Sequence, residues 1–160
     1  MKLRIGNGID VHPYEEGRPL FLGGVEIPSP VGLKGHSDAD VLLHAITDAI
    51  LGALSWGDLG QWFPNNDERY RGANSADLFL EVWKRAQLEG WALVNCDCNI
   101  LAEQPKISPH MNRIKTRLAE LFTTEINQVS IKATTTEELG FIGRREGMLA
   151  TATVLLQCIE

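Results

Sequence analysis

Leu3-Arg-Ile-Gly-Asn-Gly-Ile-Asp10-Val-His12-Pro13 is the stretch on which the reading of the fold turns. Leu3, Ile5, Gly6, Gly8 and Ile9 lead a strand-like run into Asp10-Val-His12. Pro13 cannot donate to a ladder, so pairing is expected to end near it. Successive strand side chains alternate faces, so Asp10 and His12 should project the same way at the strand's mouth, about 6–7 Å apart along the chain.

Working outward, a helix is expected to open at Ser37 or Asp38, whose short polar side chains can cap free N–H groups. Val41, Leu42, Ala45, Ile46, Ala49, Ile50, Ala53 and Leu54 recur at helical spacing. At roughly 100° per residue, Leu42, Ala45, Ile46, Ala49 and Ala53 form one stripe, and His44 lies nearly opposite with Asp40 and Asp48. Either carboxylate could then orient the second ring nitrogen of His44. Asp10, His12 and His44 together make the ligand set of a catalytic zinc with one position left open. Read singly, the same histidines would also serve as surface or capping residues.

The rest of the chain alternates helical and extended patterns without an internal repeat, as one α/β unit of the α+β type over residues 1–160. Leu20 to Ile27 reads as a hairpin around Gly23-Gly24, and residues 28–36 as a Pro- and Gly-rich loop. Residues 57–72 read as a second irregular stretch. Ser75 is expected to cap a helix running through Leu78, Phe79, Val82, Trp83 and Ala86 to a stop at Gly90. Residues 92–101 alternate as a strand, and Met111, Ile114, Leu118 and Leu121 mark a third helix. Short and long final strands follow at 129–133 and 148–159. Helices between strands favour a mixed sheet covered on one face, and the apolar last strand suits either a central position or burial in an oligomer.

A net charge of −6 argues against nucleic acid as a partner, which normally needs a basic face. No run of about twenty apolar residues exists, so no membrane span is expected. The three cysteines, with Cys96 and Cys98 on one strand face as small core hydrophobes, suit a reducing compartment. The N-terminus enters the strand pattern directly, without a signal or transit segment. A cytoplasmic location is therefore expected.

Lys132-Ala-Thr-Thr-Thr-Glu137 and Gly140-Phe-Ile-Gly-Arg144-Arg145 form the second informative region. Hydroxyls, glycines and an Arg pair suit phosphate oxygens, and Glu137 could hold a hard divalent cation. A Thr-rich turn with a surface ion pair would use the same residues. Lys106 could be a further phosphate contact or a solvated loop charge.

In order, Asp10-Val-His12, Gly35-His-Ser-Asp-Ala-Asp-Val41, His44-Ala-Ile-Thr-Asp48, Gly57-Asp-Leu-Gly60 and Lys132-Ala-Thr-Thr-Thr-Glu137-Glu-Leu-Gly-Phe141-Ile-Gly-Arg144 resemble the 2-C-methyl-D-erythritol 2,4-cyclodiphosphate synthases of non-mevalonate isoprenoid biosynthesis. The resemblance runs from about residue 4 to residue 147. It implies a four-stranded mixed sheet with helices on one side, in a homotrimer whose active sites lie between subunits. It also implies a reaction in which the 2-phosphate of 4-diphosphocytidyl-2-C-methyl-D-erythritol 2-phosphate attacks the β-phosphorus and expels CMP. By this resemblance Asp10, His12 and His44 hold Zn²⁺, and Glu137 holds Mg²⁺ or Mn²⁺ with the diphosphate. His36 and Thr135 match transition-state stabilisers. Asp58 and Gly60 match positions holding the methylerythritol part, and Ser37, Phe63, Asn65 and Asp67 complete that side of the substrate site. Ala102, Lys106, Ile107, Ser108, Ala133, Thr134 and Thr136 match a cytidine diphosphate pocket of a neighbouring subunit, with Phe141 and Arg144 near the phosphates.

Two positions depart from the family pattern. Phe63-Pro-Asn-Asn-Asp67 stands where Phe-Pro-Asp-Thr-Asp is usual, so Asn65 loses a charge but keeps a hydrogen-bonding carbonyl. Glu138 stands where Lys is frequent, a role that Arg145 could take over. Two other functions fit the same residues. One is a metal-dependent phosphohydrolase with water in the open position. The other is a non-enzymatic trimer binding an isoprenoid diphosphate near Arg144 and Glu146.

Overall fold

The structure, a computed structural model, describes residues 2–159. Strand β1 (Leu3–Glu16) pairs antiparallel with β7 (Gly147–Cys158), which pairs antiparallel with β5 (Trp91–Leu101). β6 (Val129–Thr134) joins β5 in parallel. These four strands are the ones the sequence pattern indicates. A fifth, β4 (Val31–Leu33), corrects the expected four: it emerges from the loop assigned to residues 28–36 and pairs with the end of β1. The mixed sheet therefore has the order β4-β1-β7-β5-β6.

Pro13 does not end β1. It faces Gly147 at the last step of the β7 ladder, after which Tyr14, Glu15 and Glu16 pair with Leu33, Gly32 and Val31. The missing N–H costs nothing at a point where the strand changes partner. Strands β2 (Leu20–Leu22) and β3 (Val25–Ile27) form a separate hairpin. Its turn residues Gly23 and Gly24 have φ of 61° and 75°, the left-handed pair a two-residue turn of this kind demands.

Helices α1 (Val41–Leu54), α3 (Ser75–Leu88) and α4 (Met111–Phe122) cover one face of the sheet. Two short helices, α2 (Leu59–Trp62) and α5 (Gly140–Gly143), lie in connecting segments, α2 within the stretch expected to be irregular. The core fills the space between sheet and helices. Phe79, Trp83 and Phe122 meet edge to face, and the Trp83 indole donates to the Phe122 carbonyl at 3.0 Å. Cys96 and Cys98 are fully buried there, as their alternation suggests.

α1 sits unusually close to β1. A Cβ on Gly6 would lie 1.8 Å from the Ala49 carbonyl oxygen, and one on Gly8 would lie 1.9 Å from that of Ala45. Only glycine admits such an approach of helix backbone to strand. The cap of α1 is Asp40, not Ser37 or Asp38: its carboxylate accepts from Leu43 N at 3.0 Å. The same fully buried carboxylate accepts from Gly23 N and Gly24 N, tying the β2–β3 turn to the helix start. α3 is capped by Asn74 rather than Ser75.

Candidate metal centre and adjoining cavities

β1 and α1 bring the three candidate ligands together. Asp10 and His12 occupy alternate positions with Gly6 and Gly8 on the helix-covered side of β1. The close approach at those glycines lowers His44 of α1 onto them. Asp10 Oδ2 lies 2.9 Å from His12 Nε2 and 3.1 Å from His44 Nδ1, and the two ring nitrogens are 3.2 Å apart. Among the described residues these are the group whose donor atoms converge as a metal site would require.

Each ring is oriented by its other nitrogen. His12 Nδ1 donates to the Lys34 carbonyl at 2.7 Å. His44 Nε2 lies 2.9 Å from Ser75 Oγ and 3.3 Å from Ser37 Oγ. Asp40 and Asp48 do not fill the expected orienting role. Asp40 turns to the hairpin, and Asp48 accepts from Leu59 N at 2.7 Å, fixing the start of α2. His44 is itself buried, because α1 is covered on nearly every side and has no exposed polar face.

One carboxylate oxygen and two ring nitrogens thus face one another across about 3 Å. A proton or a cation has to stand between them. Burial alone would push the Asp10 carboxyl up, but hydrogen bonds and charge from His12 and His44 outweigh it and hold it at about 2. Burial opposes protonation of His12, and the Asp10 hydrogen bond and charge overcome it and raise its pKa. An ionised carboxylate and two imidazole nitrogens converging on one point are the chemistry a zinc-like cation takes, so the residues fit such an ion.

A cavity of about 280 Å³ opens beside the triad, lined in part by Gly35, His36, Ser37, Asp48, Leu59, Gly60, Phe63, Asn65, Tyr70 and Leu78. It gathers His36, Ser37, Gly60, Phe63 and Asn65 with the ligands, and adds Asp48 and Tyr70. Asp58 caps α2 next to it, accepting from Gln61 N. Asp67 is engaged by Arg69, and its carbonyl lies 3.3 Å from His36 Nε2.

The remaining candidates collect elsewhere. Ala102, Lys106, Ile107, Ser108, Ala133, Thr134 and Thr135 line a second cavity of about 190 Å³ with Glu103 and Pro105. Glu103, unnoticed in the sequence, organises the adjoining loop: one carboxylate oxygen accepts from Thr136 N at 3.0 Å and Glu138 N at 3.2 Å. Glu137 is exposed and donates its N–H to Thr135 Oγ1 at 3.2 Å. It does not join the Asp10, His12 and His44 cluster of its own chain. Arg144 is exposed and paired with Glu146 at 2.8 Å, and Phe141 is exposed on α5. The two cavities share no lining residue, so His36 and Thr135 stand apart within one chain.

The YgbB family model matches residues 3–157. The chain belongs to the YgbB family. A relative from Geobacillus thermodenitrificans named 2-C-methyl-D-erythritol 2,4-cyclodiphosphate synthase is 55% identical over 157 residues, covering 98% of each chain. A solved structure of 2C-methyl-D-erythritol-2,4-cyclodiphosphate synthase in a CDP-bound form shares the fold with a TM-score of 0.89. It is 38% identical and covers 96% of this chain and 100% of that one. The bifunctional IspDF from Campylobacter jejuni has a TM-score of 0.95 at 41% identity, with 99% of this chain covering 43% of that longer protein. The YgbB family is thus the one whose motifs the sequence displays, and Asp10, His12 and His44 line the first of the two cavities described above.

Proposed function

We propose that this chain converts 4-diphosphocytidyl-2-C-methyl-D-erythritol 2-phosphate into 2-C-methyl-D-erythritol 2,4-cyclodiphosphate and CMP, a phosphorus–oxygen lyase reaction of cytoplasmic isoprenoid synthesis. The observation that carries it is the convergence of Asp10 Oδ2, His12 Nε2 and His44 Nδ1, with the other nitrogen of each ring bonded elsewhere. It supports this reaction because the chain around it closely matches a named synthase across nearly its full length.

Two phosphate groups of one substrate repel each other before they can react. Zn²⁺ on the triad, with Mg²⁺ or Mn²⁺ on the diphosphate through Glu137, would supply charge neutralisation and alignment. The chain's own residues hold the substrate folded. Gly60, Phe63, Asn65 and the Asp58 carboxylate receive the polyol, while His36 and Ser37 offer donors at the triad. Ala102, Lys106, Ile107, Ser108, Ala133, Thr134 and Thr136 receive the cytidine diphosphate part, with Thr135, Phe141 and Arg144 at its phosphates. Because attacker and leaving group share one molecule, positioning replaces a nucleophilic side chain.

A homotrimer follows from the same reading. The two cavities are separate within one chain, and the uncovered sheet face carries exposed Leu3, Ile5, Ile9 and Val11. Joining such faces would bury apolar surface and set the second cavity of one subunit beside the triad of another. No helix among the described residues is long and apolar enough to cross a membrane.

The test is phosphorus NMR of zinc-loaded protein with substrate and Mg²⁺. The expected result is a cyclic diphosphate with an equal amount of CMP, both lost in His44→Ala. A linear product with CMP would mean a phosphohydrolase, and a metal-loaded protein without turnover would mean a binding protein.

A further inference from the structure

We propose that Ser75, backed by Asp38, is the positioning residue that fixes the His44 imidazole for metal binding; this rests on the metal-centre reading above. The Ser75 hydroxyl donates to Asp38 Oδ1, and Asp38 Oδ2 accepts the Ser75 backbone N–H at 3.0 Å. A hydroxyl has one proton. With that proton on the carboxylate, Ser75 Oγ, 2.9 Å from His44 Nε2, can only accept. His44 must therefore carry its proton on Nε2 and present the Nδ1 lone pair to Asp10.

Three further features favour this role over incidental packing. Ser75 is 1% exposed, so water does not compete for its hydroxyl. Its side chain is not needed to cap α3, because Asn74 does that. Ser37, the other hydroxyl near His44 Nε2, is farther at 3.3 Å and is itself engaged by Ala39 N.

The two metal-binding imidazoles are thus set by different devices. His12 uses a backbone carbonyl directly, whereas His44 reaches a carboxylate through a serine. A carboxylate placed behind a hydroxyl polarises it and strengthens it as an acceptor. Partners of this kind, lying one step behind a ligating His, orient the ring and raise its basicity. The chain Asp38–Ser75–His44 also joins the segment before α1 to the first residue of α3. Metal retention therefore depends on where α3 begins.

The deciding experiment measures zinc affinity by competition with a chromophoric chelator for wild type, Ser75→Ala, Ser75→Thr and Asp38→Asn. The melting of each metal-free protein is recorded alongside. Ser75→Ala should lose about 10–100-fold in zinc affinity while its metal-free melting stays close to wild type. Ser75→Thr, which keeps the hydroxyl, should recover most of the loss. The visible spectrum of the Co²⁺-loaded Ser75→Ala protein should differ from wild type, because the imidazole is no longer held at one angle. Should Ser75→Ala fail to fold, Asp38→Asn decides: a several-fold loss supports the relay, and unchanged affinity overturns it. Unchanged affinity in a folded Ser75→Ala overturns it as well, as does a loss matched by equal destabilisation of the metal-free protein. Wild-type protein that takes up no zinc would overturn the metal-centre reading, and the relay with it.

Discussion

Replacing Gly8 by Ala tests whether close backbone approach builds the metal centre. The added methyl would sit 1.9 Å from the Ala45 carbonyl oxygen, whereas real Cβ contacts essentially never fall below 3.0 Å. β1 and α1 must therefore separate locally by at least ~1.1 Å, the difference between those two distances. Ala45 adjoins His44, and Gly8 lies one same-face step from Asp10, so the separation acts directly on the ligand set. Metal–ligand distances tolerate only about ±0.2 Å. Zinc affinity should consequently collapse, and overpacking should cost about 1–3 kcal/mol. For a chain of this size each kcal/mol is worth about 2–4 °C in Tm. The assay is chelator competition for zinc together with thermal melting of the metal-free protein. Gly52→Ala is the control: nothing lies closer than 4.0 Å to its added Cβ, and a helical Gly-to-Ala change should stabilise by up to about 1 kcal/mol. Wild-type zinc affinity and Tm in Gly8→Ala would refute the reasoning.

In metal-free protein, Asp10 held at about 2 against 3.8 contributes stability that is present above pH 3.8 and lost as pH falls through about 2. His12, raised above 6.5, contributes stability that is complete below pH 6.5 and lost as pH rises through its folded value. Melting of chelator-treated protein should therefore decline toward pH 8, while zinc affinity, which needs the neutral imidazole, rises over the same interval. Asp40→Ala strands the Gly23, Gly24 and Leu43 N–H groups. At about 1–3 kcal/mol for each buried group left without a partner, urea denaturation should show a loss of several kcal/mol. Ile9→Glu, on the uncovered sheet face, should give a monomer in sedimentation that is inactive yet still binds zinc. A fully active monomer would remove the shared-site reading.

The long elements were legible because each carries a repeated signal. Strand alternation placed Asp10 with His12, and helical spacing found α1 and its histidine. What failed was inference from one element to its surroundings. A helical wheel assumes one buried face, but the hairpin, α3 and the sheet enclose α1, so His44 and Asp40 are interior despite lying off the apolar stripe. Pro13 reported correctly that one ladder ends, yet not that β4 takes over, because Val31-Gly-Leu33 is too short to show a period. Ser75 looked like a helix cap since the same residue types serve both purposes; its tie to His44 spans 31 residues and leaves no local pattern. Glu103 was hidden likewise, its partners lying in the loop at residues 136–138.

β1 has a further consequence. Its even positions, Gly6, Gly8, Asp10 and His12, serve chemistry, while its odd positions, Leu3, Ile5, Ile9 and Val11, present the apolar outer surface. Deleting any single residue between Leu3 and Asp10 would exchange the two sets for the part upstream of the deletion, or force it to pair out of step with β7. Composition can drift within the outer set, since another aliphatic at Ile5 harms neither. Length cannot. The strand behaves as a two-track reading frame, in which insertions and deletions are penalised far more heavily than aliphatic substitutions on the outer track.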